Sequence, residues 1–175
     1  THFSKVSALA EGATLAGLFT LPARDQRPEG WYIITATSQG LVKRTSLGEL
    51  PGVTGHAFTL VKVNEGDRLV SVRLTDGKAD LLLATADGMA IRFAEEQVRP
   101  MGLVAAGVGG IKLQGRDELV GMEMVPDGGE FLLVASDGKA KRVKENQFPT
   151  QGRYGLGVVA WKLPRTAQLT GAIPI

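Results

Sequence analysis

A chain of 175 residues with 43% apolar side chains can bury a sizeable core, which excludes the disordered class. It contains no cysteine, which excludes disulfide frameworks and thiolate chemistry, and no apolar run approaches membrane-spanning length. Its 20 basic and 18 acidic residues leave a formal charge of +2, too small to select a polyanionic partner.

The opening residues, 1–30, are the least regular. Thr14 to Leu21 reads as a glycine-containing strand, and Pro22 to Gly30, with two prolines and several charges, as a loop. Together they read as part of an incomplete module, in a chain that opens at Thr1 like an excised piece. From Trp31 the pattern becomes clear. A β-rich run over 31–37 meets a glycine turn and returns over Leu41–Thr45. Phe58 to Val63 is a third strand candidate. Leu69 to Leu74 alternates, putting Leu69, Ser71 and Arg73 on one face and Val70, Val72 and Leu74 on the other.

The hairpin then recurs. Leu81–Thr85 and Met89–Phe93 flank Asp87-Gly88, and Phe131–Ala135 and Ala140–Val143 flank Asp137-Gly138. The turn glycines Gly40, Gly88 and Gly138 are 48 and 50 residues apart. Ala94 to Gln97 is too short and too acidic for more than a helical turn, and Leu119–Val125 repeats the strand of Leu69–Leu74. Residues 167–175 supply a last strand. No stretch of helical period lasts long enough to form a helix layer, which disfavours a parallel α/β sheet. A propeller-like array, a sandwich and a barrel remain, and the period of about fifty favours an all-β array of four-stranded blades.

Basic residues follow each turn: Lys43 and Arg44, Arg92, then Lys141 and Arg142. If successive blades present them at equal angles, they trace a curved track that a bent duplex can follow through phosphate contacts. The plainer alternative is that strand-end charges keep a surface solvated. Lys112, Lys139, Lys144 and Arg153 are further candidates. Alternation separates Lys141 from Arg142, so Arg142 is expected to pair with an acid such as Glu145 while Lys141 faces outward. The glycines of Gly107–Leu113 are expected to pass strands between blades, with Lys112 beside them. Trp31 and Trp161 read as packing, not stacking platforms.

The segments GLVKRTSLGEL (40–50), GDRLVSVRLTDG (66–77), LLLATADGMAIRFAEEQVRPMG (81–102), GVGGIKLQGRDELVGMEMV (107–125) and DGKAKRVKENQFPTQGRYGLGV (137–158) resemble, in order, the C-terminal domain of the DNA gyrase A protein and the related domain of topoisomerase IV. The resemblance covers roughly residues 31–163. It implies a β-pinwheel, a propeller-like disc whose neighbouring blades exchange strands and whose basic rim wraps duplex DNA. The length allows about three and a half blades, with hairpins starting near 31, 81 and 131. The glycine-arginine box of the gyrase first blade is incomplete here, since Gln151–Gly157 carries one arginine, interrupted by Tyr154 and Leu156.

The resemblance further implies double-stranded DNA, the rest of the gyrase A protein and the gyrase B protein as partners. It implies a cytoplasmic setting with no membrane, and a holoenzyme that uses ATP and Mg²⁺ while this stretch holds no cofactor. The unclosed ends of a partial array point to self-association as one way of covering them. Catalysis within the stretch is not expected. His2 and His56 are far apart, Ser136 lacks a histidine partner, and the aspartates sit at turns for backbone reasons. A noncatalytic DNA-wrapping module is therefore the leading reading, and a propeller-like protein-interaction scaffold the alternative.

Overall fold

The computed structural model describes residues 14–52 and 56–175. Expectations for Phe3–Leu9, for His2 and for the end of the 48–55 turn region lie outside those residues. The strands are β1 (Tyr32–Thr37), β2 (Leu41–Ser46), β3 (Leu69–Thr75), β4 (Asp80–Thr85), β5 (Met89–Ala94), β6 (Val108–Gly109), β7 (Leu119–Met124), β8 (Glu130–Ala135), β9 (Ala140–Lys144), β10 (Val158–Val159) and β11 (Leu169–Pro174). Single 3₁₀ turns at Leu47–Glu49, Glu95–Gln97 and Glu145–Gln147 follow the second strand of each hairpin.

Each hairpin closes through the same local chemistry. The amides of Gly40, Gly88 and Gly138 donate to the carbonyls of Thr37, Thr85 and Ala135 at 2.9, 3.0 and 3.0 Å. All three glycines have φ near +80°, which a side chain resists.

The sheets run β3-β1-β2-β6, β10-β5-β4-β7 and β11-β8-β9. The fourth strand of each complete sheet is lent by the next blade. β6 follows the second hairpin in sequence but pairs with β2, and β10 follows the third hairpin but pairs with β5. Among the described residues the outer edge of β9 is unpaired. The consequence shows in burial: four residues of β2 and three of β5 are buried, whereas in β9 only Val143 is.

The lending arms need glycine. Gly107 lies at φ +108°, and a Cβ there would stand 2.6 Å from the carbonyl oxygen of Val42. Gly157, at φ +76°, presses on the Ala90 carbonyl in the same way. The equivalent residue of the first arm is Ala57, which lies outside the positive-φ region. Phe58–Val63 accordingly forms no strand, contrary to the sequence reading, because no preceding hairpin edge is present for it among the described residues. Thr14–Leu21 also forms no strand; Ala16 and Phe19 instead pack onto the cluster of Ile33, Leu47, Leu50 and Val72.

The core lies between sheets, which explains the uninterrupted run Leu81-Leu82-Leu83-Ala84. Leu81 and Leu83 point toward the first blade, packing with Ile34, Val42 and Phe93, while Leu82 and Ala84 point toward the third, packing with Phe131 and Leu133. A strand buried on both faces has no reason to alternate. In β3 the expected alternation is broken by a bulge opposite Ala36/Thr37. Val72 and Leu74 face the first-blade cluster as predicted, but Val70 turns to the inter-blade core.

Candidate nucleic-acid interface

The residues after the three turns occupy one position in three environments. Lys43 is only 1% exposed. Its ammonium donates to the carbonyls of Leu60 and Leu103, both at 2.6 Å. Burial pushes its pKa below the ordinary lysine value. Arg44 is 7% exposed, stacked 4.5 Å above the Tyr32 ring and 4.0 Å from Glu95 of the following blade. Glu95 is itself fully buried, accepting from the Thr75 hydroxyl and, at 2.7 Å, from the Ala79 amide. The outward orientation expected of Lys43 and Arg44 is therefore corrected: lent strands and loops cover β2, and both cations join blade to blade.

Arg92 has the same role one seam further on. Its Nε donates to Asp80 and its Nη1 to Glu145 of the next blade, both at 2.7 Å. Burial alone would lower its pKa, but the two carboxylates outweigh this and raise it. Arg92 is thus a clamp and not a free rim cation. Arg142 does not pair with Glu145 as expected, because Arg92 occupies that acid; it pairs with Glu130 at 2.6 Å and keeps a 69% exposed side chain. Arg153 is also engaged, through its guanidinium to the Gly109 carbonyl and its amide to Gln97 Oε1 at 2.7 Å.

Lys139, Lys141 and Lys144 are exposed on or beside β9. Lys139 pairs with Asp137 at 2.8 Å, and Lys141 reaches the Ala160 carbonyl at 3.3 Å. Lys144 makes no ion pair among the described residues. A groove of about 360 Å³ along this edge is lined by Lys141, Arg142, Lys144, Phe148 and Val159.

A second basic series lies on the seams. Lys62, Lys112 and Lys162 stand 50 residues apart, each followed by Val or Leu, and all three are exposed. The Lys62 amide donates to Ala105 of the next blade at 3.2 Å, and the Lys112 amide to Gly155 of the next at 2.9 Å. Equivalent bonds fix equivalent positions for Lys62 and Lys112, and Lys162 holds the same place in the third repeat by its spacing alone. None of the three forms an ion pair among the described residues. Lys112 stands among the candidates read from the sequence, whereas Lys62 and Lys162 do not, although the spacing they share with it was a signal.

Among the described residues no three His, Cys, Asp or Glu side chains converge as a metal site, and no helix is long and apolar enough to cross a membrane.

Three antiparallel blades joined by lent strands define the class, an open propeller-type array. The family model described as "DNA gyrase C-terminal domain, beta-propeller" matches residues 32–76, 79–126 and 129–175, and the chain belongs to that family. It is 40% identical over 94 residues to the DNA gyrase A protein of Staphylococcus epidermidis, a match covering 54% of this chain and 10% of that protein. It is 42% identical over 95 residues to the DNA gyrase A protein of Salmonella typhimurium, covering 54% and 11%. The chain thus matches about a tenth of the length of these curated relatives. Its fold is similar to the crystal structure of the C-terminal domain of DNA topoisomerase IV, with TM-score 0.91, 23% identity, all of this chain and 55% of that one covered. It is also similar to a DNA gyrase A C-terminal domain, with TM-score 0.52, 18% identity, and 84% and 66% covered.

Proposed function

We propose that this chain is a noncatalytic module that binds and wraps duplex DNA for a gyrase-type topoisomerase. In that role it supports ATP-dependent supercoiling by a holoenzyme containing the rest of the gyrase A protein and the gyrase B protein. The observation that carries this reading is the series Lys62, Lys112 and Lys162: three exposed cations without ion pairs among the described residues, the first two set on successive seams by equivalent backbone bonds. Such a series neutralises phosphates at regular angular steps without reading bases. Lys139, Lys141 and Lys144 extend the basic surface on the third blade. Bending energy of the duplex is offset by these contacts.

The test is fluorescence anisotropy with duplex DNA over a range of salt concentrations. Affinity should fall with log salt by a slope of about 0.9 per phosphate neutralised, and Gln at 62, 112 and 162 together should flatten it by up to about 2.7. Unchanged slope in the triple variant refutes the seam lysines as contacts. Failure of the native chain to bind at low salt favours the protein-interaction scaffold.

A further inference from the structure

We propose that Tyr154 is a DNA-backbone contact at the seam of the second and third blades. Its ring packs on a deoxyribose and its hydroxyl donates to a phosphate, beside Lys112. This rests on the duplex-DNA reading above.

Tyr154 has φ +66°, and among the described residues it is the only non-glycine with positive φ. A bulky side chain in the left-handed region is disfavoured, and here burial offers little compensation, since the residue is 57% exposed. The strained conformation is nevertheless firmly held. The Tyr154 amide donates to the Gly110 carbonyl at 2.8 Å, the Lys112 amide to Gly155 at 2.9 Å, and the Arg153 guanidinium to the Gly109 carbonyl.

The ring also has a seat. A Cβ on Gly109 would fall within the edge of the Tyr154 ring, so the ring lies over bare backbone. The equivalents of Gly109 in the other arms are Thr59 and Val159, so the side chain is absent at the one arm position beneath a tyrosine. The hydroxyl has no hydrogen-bond partner among the described residues. A ring held against its conformational preference, seated on glycine, exposed, and placed next to an unpaired lysine is presented to something outside the chain. The neighbouring cations select a polyanion. The preceding seam carries Val104 at the equivalent position, 72% exposed and without a positive φ, next to the Ala105 carbonyl that accepts from the Lys62 amide.

The experiment compares the 175-residue chain with Tyr154→Gly, Tyr154→Phe and Lys112→Gln. It uses anisotropy on a duplex of about 30 base pairs across salt and urea unfolding. Tyr154→Gly should weaken binding about 2–10-fold at every salt concentration, the worth of one hydrogen bond with its packing. Its salt slope should stay unchanged, and its urea midpoint should hold or rise because glycine relaxes the backbone. Tyr154→Phe should lose only the hydroxyl's share. Lys112→Gln should instead reduce the slope by about 0.9. Native affinity in Tyr154→Gly, with the native chain binding duplex, overturns the Tyr154 contact alone. So does a fall in affinity that tracks a fall in the urea midpoint, which would make the ring a packing element. No duplex binding by the native chain overturns the DNA reading and this contact with it.

Discussion

The clamp position offers a controlled comparison, because Arg92 and Arg142 are equivalent in sequence and differ in surroundings. Arg92 makes two 2.7 Å ion pairs, with Asp80 and Glu145, and all three side chains are about one-fifth exposed, at 21%, 24% and 21%. Removing the guanidinium leaves two carboxylates facing each other across a seam. Removing one partner from a fully buried pair costs about 3–5 kcal/mol, and exposed pairs contribute about 0–1 kcal/mol. Interpolating for partial exposure, Arg92→Met should cost about 2–3 kcal/mol. Arg142, with 69% of its side chain exposed and a single partner in Glu130, should cost no more than about 0.5 kcal/mol as Arg142→Met. With a urea m-value of about 2 kcal/mol/M, the Arg92 variant should unfold roughly 1–1.5 M earlier and the Arg142 variant almost with the native chain. Equal shifts, or a larger one for Arg142, would refute the clamp. Under native conditions Arg92→Met should keep the native salt slope for duplex binding.

Glycine at the hairpin turns supplies a second comparison. Gly138→Ala should cost about 1–2 kcal/mol from its positive φ alone, since nothing lies within 4 Å of the added Cβ. Gly88→Ala should cost a further 1–3 kcal/mol or so, because its Cβ would collide with the Trp161 carbonyl of the lent arm; thermal unfolding of both variants decides this. Burial depresses the Lys43 pKa below its unfolded value, so the native state binds that proton more weakly than the unfolded state does. Stability from this group should therefore rise with pH between the folded pKa and about 10.5, and Lys43→Met should lack that alkaline gain in pH-dependent urea titrations. Hydrogen bonds from Thr37, Ser38, Gln39 and Arg68 outweigh the upward push of burial and hold Asp67 below the usual carboxylate range. Its contribution is present above about pH 4 and lost as pH falls through the folded pKa, so Asp67→Asn should flatten the acid limb of the same titration.

The hairpins, their glycine turns and the family were legible because local turn chemistry and a period near fifty leave a strong trace. The exchange of β6 and β10 could not be read from local pattern, since strands of two residues carry no periodicity. The burial of Lys43 left one clue, Ile91 at the equivalent place in the second repeat: a position that accepts isoleucine faces the interior. Proximity to a turn outweighed that clue. The role of Arg92 was hidden for another reason, because its second acid lies 53 residues away on the next blade.

Ala57 makes the two faces of the array unlike. Among the described residues the outer edge of β9 is unpaired, and at the other end the first arm has a methyl group where Gly107 and Gly157 admit a neighbour's carbonyl. A hairpin edge laid against this arm as β2 lies against β6 would meet that methyl group. Ala57 is thus the point at which the first arm departs from the geometry that the two later arms share.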